Sequence, residues 1–116
     1  MKQMIKSLDF LHRNKISHMD LKMENFLVFN KDDGTRTIKL IDFNSYDNSE
    51  NGLIENQSYG TFLYAPPECN SKLSEGYSTF KADIWALGIC FYIMITSKLP
   101  FTVEDPEVNF EFGYAC

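Results

Sequence analysis

The chain has 116 residues, a formal net charge of −5, and 44% apolar and 15% aromatic residues. One domain of this size, with ten Phe, six Tyr and one Trp, has the material for a buried core, which excludes wholesale disorder. The acidic balance speaks against a protein that grips a nucleic-acid backbone, because phosphate binding needs a Lys/Arg surplus on one face.

From Met1 to Lys15 the residues Met1, Met4, Ile5, Leu8 and Leu11 recur at helical spacing, which predicts an amphipathic helix. It opens without a Ser, Thr or Asp cap, as an element cut from something longer would, and Lys2, Lys6 and Asp9 interrupt any signal-peptide core. Phe26 to Phe29 and Thr37 to Ile41 read as two short strands, and the intervening Asp33-Gly34 favours a hairpin. Asn44 to Tyr59 is polar and rich in Asn and Ser, so it reads as a long exposed loop, either functional or disordered. Tyr77 to Thr96 reads as a helix. Being apolar all round, it is expected at the centre of the core, with Trp85, Phe91 and Tyr92 as core aromatics. Its longest apolar run, Ile84 to Ile95, is 12 residues, short of the roughly 20 that span a membrane, so no membrane partner is expected. Cys69, Cys90 and Cys116 show no C-x-x-C spacing, which indicates neither a disulfide framework nor a zinc site. A reducing, cytoplasmic setting follows as the expectation. The tail from Pro106 has no legible organisation, and no repeat is visible.

The most informative stretch runs from Ile16 to Leu27 (ISHMDLKMENFL). Between a helix and a strand it gathers Asp20, Lys22 and Asn25: a carboxylate that accepts a hydroxyl proton, an ammonium that neutralises a transferring phosphate, and an amide oxygen suited to Mg²⁺. Taken alone, the trio reads more readily as a solvated polar turn. A second carboxylate, Asp42, at the far end of the hairpin changes the balance, because with Asn25 it makes a plausible Mg²⁺ site. Phe43 and Asn44 follow it, and Asn is a residue able to enter the left-handed backbone region.

His18-Met19-Asp20-Leu21-Lys22-Met23-Glu24-Asn25 resembles the catalytic loop H-R-D-L-K-x-x-N of eukaryotic protein kinases, and Asp42-Phe43-Asn44 resembles their D-F-G. Gly60-Thr61-Phe62-Leu63-Tyr64-Ala65-Pro66-Pro67-Glu68 is similar to G-T-x-x-Y-x-A-P-E, and Asp83-Ile84-Trp85-Ala86-Leu87-Gly88 to D-x-W-x-x-G. Leu99-Pro100-Phe101 most resembles the calcium/calmodulin-dependent kinase group. The resemblance implies a serine/threonine kinase fragment over residues 1–116. The fold would be mainly α with a small β-hairpin, the first part of the large C-terminal lobe of the kinase-like α+β fold. Asp20 would be the catalytic base and Lys22 the contact to the γ-phosphate of ATP. Asn25 and Asp42 would hold Mg²⁺, and Leu27 would floor the adenine pocket. The partner would be a protein substrate with basic residues near its target Ser or Thr, if Glu24 reads them; a solvated surface charge is the equal alternative for Glu24. His18 and Phe43 would be packing residues, His12 a capping or core histidine, and Asp83 a structural acceptor of backbone N–H groups from the catalytic loop.

Departures bear on activity. The 116 residues contain no G-x-G-x-x-G loop and no V-A-I-K strand, so the small lobe is expected to be missing, and the Arg that usually pairs with Glu68 lies among later helices. Met19 replaces an Arg that in many relatives receives a phosphate on the activation loop, which makes activation by loop phosphorylation doubtful. The chain alone is expected to be inactive and marginally stable, with exposed apolar surface prone to association. A non-catalytic kinase-derived binding module, or an incomplete gene product, is the alternative.

Overall fold

The computed structural model describes residues 1–55, 59–69 and 76–101. Helix α1, Lys2–Arg13, buries Met4, Leu8 and Leu11, one residue per turn along a single stripe, and leaves Phe10 outside that stripe exposed. His12 and Arg13 lie in its last turn, where cations and ring N–H groups face the carbonyl end of the helix dipole. A single 3-10 turn, Met23–Asn25, leads into strand β1, Phe26–Asn30, which pairs antiparallel with β2, Arg36–Leu40, in a register from Phe26↔Leu40 to Asn30↔Arg36. The connecting loop is closed by Asp33, whose carboxylate accepts from the Thr35 amide and hydroxyl, and by Gly34 at φ +78°. This is the predicted hairpin. Its β2 edge is covered by α1: the Gln3 amide accepts from Ile38 N at 2.7 Å and donates to Arg36 O at 2.9 Å.

The polar run after Asn44 is more ordered than its composition predicts. Ser17 and Asp47 exchange backbone hydrogen bonds, and β3, Leu53–Ile54, pairs antiparallel with β4, Tyr77–Ser78. Tyr59, the last residue of that run, is 2% exposed and belongs to the core. Residues 56–58 of the predicted loop, and the tail beyond 101, lie outside the described residues.

Helix α2, Thr79–Thr96, starts at Ser78, whose hydroxyl accepts from Lys81 N, and stops at Ser97 in the left-handed conformation. Its placement corrects the expectation of a fully central helix. One side, with Ala82, Asp83, Ala86, Leu87, Ile89 and Cys90, is buried, whereas Ile84, Tyr92, Met94 and Ile95 are exposed and Trp85 is 37% exposed. Trp85 and Tyr92 are therefore not core aromatics. Trp85 instead stacks on Phe101, with ring centroids 6.0 Å apart, while Phe91 is partly buried against the core. By length and composition α2 is apolar enough to cross a bilayer, but Asp83 and the small residues of its buried side tie it into the core with Met4, Leu8 and Leu21. Glu68 sits exposed in the 3-10 turn Pro67–Cys69.

Candidate active site

Asp83 is fully buried on the covered side of α2, and both of its oxygens are committed. Oδ2 accepts from His18 N at 2.7 Å and meets His12 Nε2 at 3.1 Å, while Oδ1 accepts from Met19 N at 3.0 Å and from the Tyr59 hydroxyl at 2.9 Å. A buried carboxylate is tolerated only when it is satisfied in this way. Tyr59 OH also accepts from Leu21 N at 3.1 Å, and burial beside Asp83 raises its pKa far above the usual tyrosine value. One carboxylate and one phenol thus pin the backbone on both sides of Asp20. Met19 between them is held at φ +67°, a conformation that costs an ordinary L-residue about 1–2 kcal/mol. Its side chain packs in the core.

Asp20 projects from this pinned segment. Its Oδ2 accepts from Lys22 Nζ at 2.8 Å and its Oδ1 from the Thr61 hydroxyl at 2.6 Å, and Lys22 Nζ also reaches Thr61 Oγ1 at 3.2 Å. Burial alone would raise the Asp20 pKa, but the hydrogen bonds from Lys22 and Thr61 outweigh it and hold the carboxyl below its usual value. Lys22 is correspondingly raised, chiefly by its bond to Asp20. The approach of Thr61 depends on Gly60, which donates its N–H to Met19 O; a Cβ built on it would stand 2.5 Å from Asp20 Oδ1. Only a glycine fits there.

The predicted metal pair is carried by the hairpin. Asn25 is 4% exposed; its Nδ2 donates to Asp20 O at 2.8 Å, leaving the amide oxygen as the free, hard pole of the group, and its own carbonyl accepts from Ile41 N. Asp42 is exposed at the other end of the hairpin. These two oxygen donors suit Mg²⁺, which is usually held by one or two protein oxygens with water and phosphate supplying the rest. Among the described residues there is no cluster of three or more His, Cys, Asp or Glu to form a denser cage. The left-handed residue of this turn is Asp42, at φ +65°, and not Asn44 as the sequence suggested. His18 Nδ1 accepts from Asp20 N at 3.3 Å and its Nε2 lies 2.9 Å from Ile41 O, so the ring links the loop to the strand end. Phe43 packs on the His18 ring with centroids 4.8 Å apart and stays 39% exposed on its other side. Leu27, on β1, is likewise 41% exposed. A pocket of about 480 Å³ opens beside Phe43 between α1 and β2, lined by Phe10, Leu11, Ile38 and Leu40, but none of Asp20, Lys22 and Asn25 faces it.

The sequence profile of the protein kinase domain family matches residues 1–113. The chain belongs to that family. It is 33% identical over 106 residues to a probable serine/threonine-protein kinase KIN1 homolog of Encephalitozoon cuniculi, covering 91% of this chain and 18% of the relative. It is 40% identical over 107 residues to calcium-dependent protein kinase 6 of Plasmodium berghei, covering 90% of this chain and 7% of the relative. To mouse death-associated protein kinase 2 it is 34% identical over 106 residues, covering 91% of this chain and 28% of the relative. The kinase chain thus spans well under two thirds of the relatives it matches.

Within this kinase domain fragment, four residues that matter to the geometry were not singled out from the sequence for their roles. Thr61 and Gly60 sit inside a quoted motif, so the signal was present; their contact with Asp20 across 40 residues was not. Tyr59 lies in a polar run without periodicity, and nothing in its neighbours marks it as buried. His12 was read as a capping or core residue, whereas it bonds Asp83, 71 residues away.

Proposed function

We propose that the chain carries the catalytic-loop side of a serine/threonine protein kinase site, within the part of the domain that becomes the large lobe. Asp20 binds and orients the substrate hydroxyl and takes its proton as the new oxygen–phosphorus bond forms and the bond from the γ-phosphorus to departing ADP breaks. Lys22 sets a positive charge beside the γ-phosphate. Asn25 and Asp42 would hold Mg²⁺, which would neutralise the phosphate oxygens, and Leu27 would lie under the adenine. The observation that carries this reading is the Asp20–Lys22–Thr61 triangle: a preorganised, ionised carboxylate with a cation 2.8 Å away, on a backbone fixed by Asp83. The substrate would be a protein, with basic residues near its target Ser or Thr if the exposed Glu24 reads them. The setting would be intracellular, in keeping with the free thiols of Cys69 and Cys90.

The 116 residues by themselves supply one wall of the nucleotide site, so turnover requires a nucleotide-clamping lobe. The test joins the chain behind a kinase small lobe and follows phosphate transfer from Mg·ATP to a protein substrate. Transfer that vanishes in Asp20→Ala and Asp42→Ala supports the proposal; transfer that survives both overturns it. A non-catalytic binding module is the second reading, favoured by the exposed apolar residues Ile84, Tyr92, Met94 and Ile95 of α2. It gains if the joined protein binds Mg·ATP yet transfers nothing.

A further inference from the structure

His12 has no place in the catalytic constellation, yet it links α1 to Asp83 by a hydrogen bond. Its Nε2 stands 3.1 Å from Asp83 Oδ2, the oxygen that also accepts from His18 N. The ring is oriented from a second side by Phe80, edge to face at 5.0 Å between centroids. Phe80 is in turn set by Gly52: a Cβ on Gly52 would fall 2.2 Å from its ring, and Gly52 O accepts from Thr79 N. His12 is therefore held by two residues of α2, Phe80 and Asp83, and Phe80 is itself backed by Gly52. With 18% of its side chain exposed against 0% for Asp83, it is the outermost of the Asp83 partners and closes that site toward solvent.

We infer that His12 is a positioning residue for Asp20, acting through Asp83. A carboxylate with two donors on each oxygen has one orientation that satisfies all four. Without the His12 donor it can swing about its Cβ–Cγ bond and weaken the bonds to His18 N or Met19 N, since Oδ2 then keeps a single partner. Met19 is where that loss is felt, because its positive φ persists only while the surroundings over-determine it. Relaxation at Met19 moves Asp20, the next residue, and also Gly60, whose N–H is bonded to Met19 O. The Asp20–Thr61 contact depends on both. This inference rests on the reading of Asp20 as the base, but concerns how that residue is held.

The test uses isotope-labelled 116-residue chain and no phosphoryl transfer, so its outcome is separate from that of the kinase assay. In the wild-type chain, imidazole ¹⁵N spectra should show His12 protonated at Nε2; a bare Nε2 in the folded chain at neutral pH overturns the inference. In His12→Leu, the His18 and Met19 amides should exchange about tenfold faster. The Asp20 side-chain carboxyl ¹³C signal should move toward that of a free aspartate. His12→Gln, whose amide nitrogen is the same number of bonds from Cα, should restore both. A purely structural histidine would lower the melting temperature in both variants and leave the Asp20 signal of the folded molecules unmoved, which would overturn the inference. If His12→Leu does not fold, His12→Phe, which keeps a ring against Phe80 but offers no donor, decides: an Asp20 signal moved toward free aspartate with faster Met19 exchange supports positioning, and an unmoved Asp20 signal in the folded chain refutes it.

Discussion

Replacing Asp83 by Asn keeps the size and shape of the side chain and exchanges one acceptor oxygen for a donor. The wild-type carboxylate accepts from His18 N, Met19 N, Tyr59 OH and His12 Nε2, two donors to each oxygen. The Asn oxygen can keep one such pair. The other two donors then face an NH₂ group with no lone pair to offer. Tyr59 can turn its hydroxyl toward other acceptors, but His18 N and Met19 N are backbone groups fixed in a fully buried site. Either orientation of the Asn strands one of these two backbone donors, at about 1–3 kcal/mol, so the substitution should remove roughly that much. Against a total of roughly 5–15 kcal/mol for a typical domain, that is a large share. The assay is urea unfolding of the 116-residue chain followed by the fluorescence of Trp85, which sits on α2 two residues from the substitution. With a slope of about 1 kcal/mol per molar urea for a chain of this size, the midpoint should fall by about 1 M or more. If the variant is largely unfolded in buffer alone, the comparison is made in an osmolyte that stabilises both proteins. An Asp83→Asn midpoint within about 0.5 M of wild type would refute the claim that this carboxylate fixes the loop.

Other outcomes follow from the same geometry. Gly60→Ala should displace Asp20, because its new methyl lies within 2.8 Å of Asp20 Oδ1, Cβ and Cγ; the Thr61 hydroxyl signal should lose its hydrogen-bonded shift, with a stability loss of about 1–3 kcal/mol by urea unfolding. The Asp20–Lys22 pair has a defined pH window. The folded pKa of Asp20 lies below its ordinary 3.8, so its contribution is complete above that value and is lost as pH falls through the folded pKa. Lys22, raised above 10.5, contributes fully below that value and loses its share as pH rises through the folded pKa. Lys22→Met should therefore unfold at a lower midpoint than wild type across neutral pH, with the gap narrowing as pH falls below about 4 or rises above about 10.5. Mg²⁺ should bind the chain weakly, through Asn25 and Asp42 with water, and calorimetric titration of Asp42→Ala should show less heat than wild type. Burial pushes the Cys69 and Cys90 thiols up to about 12, so in a Cys116→Ser chain neither should react with a disulfide reagent at pH 8 until the protein unfolds.

The hairpin and both helices were legible because their signals are local. Asp33-Gly34 demands a turn, and Met4, Leu8 and Leu11 define a stripe whatever they pack against. The site residues Asp20, Lys22, Asn25 and Asp42 were legible as a pattern of chemical types, and the structure brings Asp20, Lys22 and Asn25 into one hydrogen-bonded group. Long-range partners were not legible. Nothing near His12 announces Asp83, and nothing near Tyr59 announces a bond to Leu21 N, because each contact exists only once the chain has closed a loop of tens of residues. The half-exposed state of α2 was missed for a different reason. Composition records that Ile84, Tyr92 and Ile95 are apolar, not whether anything covers them. At Asp42 the local rule failed outright: Asn44 has the better intrinsic tolerance for positive φ, but the sharp exit from β2 falls two residues earlier.

The central claim is that Asp20 acts on the substrate hydroxyl and not on the nucleotide. Its most direct test is a single-turnover measurement on the chain joined to a kinase small lobe, comparing wild type with Asp20→Ala at saturating Mg·ATP. The account predicts that the rate of the transfer step falls by about 10²-fold or more while the dissociation constant for Mg·ATP stays within about threefold. An Asp20→Ala protein that transfers phosphate at the wild-type rate, or one that loses Mg·ATP binding in proportion to its rate, would contradict it.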